Sequence, residues 1–180
     1  HGHPRGILDD GAMSLEDLPP GIAIGPDGNL YAGNGDEGRV LEFDGQSGDY
    51  LGDFVTPETP GGLAGARGIA FGPDGNLYVD SGATNNVLAY DGKTGAFLRV
   101  AAQGNGVSGP VGLTFGPDGN LYVGAALSNA VYVFDANGNF IHTWGNFGNA
   151  NAYEFQFPKG IAINRKGDMY ISESGRNRMT

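Results

Sequence analysis

The 180-residue chain carries 34 Gly, 10 Pro and a formal net charge of −10, with 39% hydrophobic and only 17% charged side chains. The apolar content is too high for a disordered segment, and abundant Gly and Pro without a collagen triplet predict an all-β chain rich in tight turns. The acidic balance argues against a nucleic-acid partner, the absence of Cys excludes disulfides and Cys-held metals, and no apolar run reaches the roughly 18 residues of a membrane span.

The chain opens at His1 without a Met or a signal-peptide pattern, so its N-terminus reads as processed, tagged or internal to something longer. A free amine at His1 with the imidazole of His3 would form a square-planar Cu(II) or Ni(II) chelate; a tag remnant or loose terminus is the blander account. Within residues 1–20, HPRGILDD reads as an outer strand of a preceding unit, and SLEDL (Ser14 to Leu18) gives at most a single helical turn.

A repeat follows. GIAIGPDGNLYAG starts at Gly21, GIAFGPDGNLYVD at Gly68, GLTFGPDGNLYVG at Gly112 and GIAINRKGDMYIS at Gly160, at spacings of 47, 44 and 48 residues. The first three copies continue into RVLEFDGQSGDYLGDFV, NVLAYDGKTGAFLRVA and AVYVFDANGNFIHTWG. Each unit reads as four antiparallel strands, a to d. The small residues of GIA suit a crowded innermost strand. In PDGN, Pro presets the turn and Gly supplies its left-handed residue. Alternation in VYVFD and the β-branched and aromatic content favour strand over helix. The predicted boundaries are 1–20, then blades at 21–67, 68–111 and 112–159, then a partial blade, strands a and b only, at 160–180. Units of this length fit a four-stranded propeller blade.

The pattern GIAxxPDGNLYVxDSGxNxVxxFD, best matched from Gly68 to Asp91, resembles the NHL-repeat β-propellers and their streptogramin-lyase-like and gluconolactonase/regucalcin-like relatives. The resemblance covers residues 21–180 and implies an all-β propeller. Such propellers include lyases, lactonases, sensors and structural modules, so the fold does not fix the function. The family usually closes with six blades, whereas three full blades are legible. A piece of a longer propeller, a self-completing oligomer and a designed repeat protein all fit that count. An exposed strand edge would be covered by further blades or by copies of the chain.

In this fold the d–a and b–c loops meet at one mouth of the central channel. Alignment places Asp36, Glu37, Arg67, Asp80, Ser81, Lys159 and Glu173 there as candidate binding residues, with Asn34, Asn85, Ser128, Asn129, Ser174 and Asn177 near them. Asp80 and Glu173 interrupt the repeat where the other units have Gly33 and Gly124, and Ca²⁺ is the cofactor such oxygen ligands would take. Turn chemistry alone also accounts for many of these residues. The acids repeated in PDGN (Asp27, Asp74, Asp118) read as structural. His142 falls on a predicted outer strand, away from the channel, so no catalytic residue is assigned. Trp144, Phe147, Tyr153, Phe155 and Phe157 form an aromatic stretch that packs over a blade edge or faces a partner. The expectation is a non-catalytic binding, scaffold or self-assembling module, outside the cytoplasm, that presents loops to a protein or glycan. The alternative is part of a metal-dependent lyase or lactonase.

Overall fold

In the computed structural model, residues 21–35, 37–147, 154–174 and 178–179 are described. His1, His3, the leading outer strand, SLEDL, Asp36, Tyr153 and Asn177 lie outside them. The described chain is all-β, and three antiparallel four-stranded sheets follow one another in sequence order. The first holds β1 (Ile22–Ile24), β2 (Leu30–Asn34), β3 (Arg39–Phe43) and β4 (Tyr50–Val55). The second holds β5 (Ile69–Phe71), β6 (Leu77–Ser81), β7 (Asn86–Tyr90) and β8 (Phe97–Gln103). The third holds β9 (Pro110–Phe115), β10 (Leu121–Ala125), β11 (Ala130–Phe134) and β12 (Phe140–Trp144).

A short parallel pair, β13 (Asn146–Phe147) with β14 (Glu154–Phe155), leads into a last sheet of β15 (Pro158–Ile163), β16 (Met169–Glu173) and β17 (Arg178–Met179). This corrects the reading of the final unit as two strands. A third strand pairs Arg178 with Glu173 and Met179 with Ser172. Two residues of strand within a polar, basic stretch leave no alternating pattern from which to predict it.

The PDGN segments are tight turns, and the structure shows why Asp recurs there. In the first three units the Gly N–H closes the turn on the carbonyl three residues earlier (Gly28 on Gly25, Gly75 on Gly72, Gly119 on Gly116). The Asp carboxylate then accepts from the following Asn and from the Tyr hydroxyl of strand b. Those Tyr bonds are 3.0 Å for Tyr31 to Asp27 and 2.9 Å for both Tyr78 to Asp74 and Tyr122 to Asp118. One acid therefore ties the turn to the blade. In the degenerate fourth copy Asn164 takes over, accepting the N–H groups of Lys166 and Asp168.

The same tyrosines carry the packing between sheets. Tyr31 meets Phe71 edge-on at 4.9 Å, and Tyr78 meets Phe115 at 4.8 Å. Around each contact, Leu, Val and Ile from facing sheets close a buried core. Within each unit strand alternation sends Ile69 and Phe71 toward the preceding sheet and Ala70 and Tyr78 toward the next. In the first sheet the equivalents of Ile69 and Phe71, Ile22 and Ile24, are exposed.

The innermost strands converge. A Cβ on Gly68 would lie 2.8 Å from the Cα of Gly112, and one on Gly112 would overlap the carbonyl oxygen of Lys159. The Gly that begins each of the first three repeats is there because the neighbouring backbone leaves no room for a side chain.

Candidate functional site

The b–c loops and d–a connections of successive units meet at one end of the inner strands and are stitched together by main-chain and side-chain bonds. In the second unit Ala64 N–H donates to the Ser81 hydroxyl oxygen at 2.9 Å, and the Ser81 hydroxyl lies 3.1 Å from the Ala64 carbonyl. Ala83 N–H donates to the Ala64 carbonyl at 3.1 Å. Between units, two Asn residues with left-handed backbones, Asn85 and Asn129, reach across. The Asn85 carboxamide oxygen accepts Gly109 N–H at 2.8 Å, and that of Asn129 accepts Phe157 N–H at 2.9 Å. Asn tolerates this backbone and carries an acceptor, which no Gly could supply.

Behind the rim sits Asp80, with no exposed surface. Its carboxylate accepts Arg67 N–H at 2.8 Å and Gly68 N–H at 2.6 Å. Burial pushes its pKa up to about 8, against the pull of these two amides and of the Arg67 charge. Glu173, in the last sheet, accepts Gln156 N–H at 2.8 Å. Both acids thus clasp the connection entering their own blade, and Asp80 fixes the backbone of Arg67.

The rim encloses a cleft of about 860 Å³, within the range of small-molecule sites. Its wall includes Glu37, Arg67 and Lys159, and also Leu63, Leu127, Phe157 and Ser174. A second space of about 350 Å³ lies between the inner strands at Gly21, Gly68, Gly112 and Gly160, and Arg67 and Lys159 line it as well. Of the residues expected at the mouth, Glu37, Arg67 and Lys159 therefore face the cleft. Asp80 and Ser81 stand behind its wall, and neither they nor Glu173 are among the lining residues.

Among the described lining residues one acid stands with two bases. Glu37 is engaged by Arg39 at 2.9 Å, and Arg39 also holds Asp53 at 2.7 Å. Among the described residues neither Arg67 nor Lys159 enters a salt bridge, although the chain is strongly acidic. No group of three or more His, Asp or Glu able to hold a metal occurs among the described residues. His142 lies on β12 against Trp144, 5.0 Å between ring centres, and does not line the cleft.

The aromatic stretch divides. Phe155 is buried with Val131 and Ile171, Trp144 stays partly exposed on the outer strand, and Phe157 lines the cleft. The apolar wall of Leu63, Leu127 and Phe157 was not expected from sequence. The d–a connections are irregular, so no periodicity tells which of their side chains turns inward.

No family model and no curated protein matches the sequence. Solved structures do match the fold. A streptogramin B lyase superposes with a TM-score of 0.71 at 20% identity, over 93% of this chain and 52% of that one. Virginiamycin B lyase from Staphylococcus aureus gives 0.66 at 17%, over 93% and 56%. Hydrazine synthase of Kuenenia stuttgartiensis gives 0.66 at 17%, over 96% and 51%. The chain spans about half the length of these proteins. Its fold is that of a β-propeller, with structural neighbours of the streptogramin-lyase type.

Proposed function

We propose that this chain is a non-catalytic, NHL-like propeller module that binds a small anionic ligand at the channel mouth, with Arg67 and Lys159 as the anion-holding groups. One observation carries the reading: neither of the cleft's two cations enters a salt bridge among the described residues, while the described acid on its wall, Glu37, is engaged by Arg39. The two cations stand at the boundary between cleft and inner channel, lining both. An anion there would meet a guanidinium and an ammonium at once, with apolar walls limiting competition from water. The stitched rim holds the site's shape before the ligand arrives, which lowers the entropic cost of binding.

The lyase likeness supports a second reading, part of a lyase or lactonase propeller. Such chemistry needs an acid–base group at the reacting atoms. Among the described cleft residues Glu37 is the sole carboxylate, and no His lines the wall. Binding is the better-supported function.

Calorimetric titration with acetate and with inorganic phosphate at low ionic strength tests the proposal. Binding to the wild-type chain is expected, weakened about tenfold or more in an Arg67→Ala/Lys159→Ala double variant. Equal affinity in both proteins, or no heat with either anion, would contradict it.

A further inference from the structure

Among the described residues, twenty have a backbone with positive φ. Sixteen are Gly, three are Asn (Asn85, Asn105, Asn129), and the remaining one is Phe157, at φ 53°. A bulky side chain in that region is an outlier, strained by roughly 1–3 kcal/mol. Phe157 also precedes Pro158, whose ring further restricts the backbone before it.

The backbone conformation gives no reason for a Phe here. The backbone shape is held by main-chain groups: Phe157 N–H donates to Asn129, and the Phe157 carbonyl accepts Ser174 N–H at 3.2 Å. Neither bond involves the ring. The residue stays 43% exposed, so its partial burial does no more than offset the strain. Gly would hold the same bonds without strain, as it does at sixteen other places. The unexplained part of the structure is the choice of Phe itself, at a residue that lines the cleft containing Arg67 and Lys159.

We infer that Phe157 is a binding residue whose ring stacks on the ligand, and that the ligand is a ring-bearing anion: an aromatic or similarly flat group carrying a carboxylate, sulfonate or phosphate. The inference rests on the anion-binding reading above and narrows it. The ring supplies an apolar face with few rotatable bonds to order. Leu127, on the same wall and 67% exposed, extends the apolar side. The anionic group lies on the Arg67 and Lys159 side.

Two probes separate the parts, each titrated into the full chain and followed by amide chemical shifts: naphthalene-2-sulfonate and methanesulfonate. The wild-type chain is expected to bind the aromatic sulfonate more tightly. Phe157→Gly is expected to keep the melting temperature, the lost burial offsetting the relieved strain, to weaken naphthalene-2-sulfonate about tenfold and to leave methanesulfonate unchanged. Phe157→Leu, which keeps apolar bulk but no flat face, should also lose the aromatic preference. A melting temperature several degrees lower in Phe157→Gly would make the ring structural and overturn the inference. So would equal affinity of the two sulfonates in wild type, although methanesulfonate binding would leave the anion site standing. Failure of both probes with wild-type protein would overturn the anion site and this inference together.

Discussion

Gly112→Ala is expected to destabilise the chain by about 3 kcal/mol, at the upper end of what overpacking costs. The added methyl would overlap the carbonyl oxygen of Lys159, with the Cα of Gly160 3.5 Å away. Both belong to the backbone of the neighbouring inner strand, so no side chain can rotate aside. The inner strands would have to separate, and the cleft residue Lys159 would move with them. Gly75→Ala is the control. Gly75 has φ 78° and nothing within 4 Å of an added Cβ, so only backbone strain of about 1 kcal/mol opposes the change. Chemical denaturation of the two variants beside wild type measures the difference. Equal losses would show that the inner strands do not converge as described.

Asp80→Ala is expected to cost about 3 kcal/mol, because the buried N–H groups of Arg67 and Gly68 lose their acceptor. Its pH dependence identifies the cause. Burial raises the Asp80 pKa from 3.8 to about 8 in the folded state, so the folded chain keeps a proton that the unfolded chain releases near pH 4. The stability this proton confers is full below about pH 4 and is lost as pH rises toward 8, at up to about 1.4 kcal/mol per pH unit. The gap between wild type and Asp80→Ala should therefore be widest, about 3 kcal/mol, at and below about pH 4, and should close or reverse before pH 8. A gap that widens with rising pH would mean that the two amides hold the carboxylate ionised.

The blade architecture was legible because the repeat states each rule several times. PDGN beside alternating strands admits few structures, and the identical recurrence of Asp27, Asp74 and Asp118 pointed to a structural role that the Tyr hydroxyl bonds supply. The positions of Glu37, Arg67 and Lys159 followed from alignment with the loops. Asp80 and Glu173 were singled out as binding residues because they break the repeat, yet neither is among the residues that line the cleft. A sequence does not tell which way a carboxylate faces, and in the structure each accepts backbone N–H from the connection that enters its blade. Phe157 left no signal of its backbone, since Phe before Pro normally reads as extended chain. Its left-handed turn is set by Asn129 and Ser174, both distant in sequence.

Mapping amide chemical-shift changes on the wild-type chain during titration with inorganic phosphate tests the central claim most directly. Shifts confined to the cleft wall, at Ala64 to Arg67, Leu127, Lys159 and Ser174, are the predicted result. Shifts scattered along the outer strands β4, β8 and β12, or none at saturating phosphate, would contradict an anion-binding channel mouth.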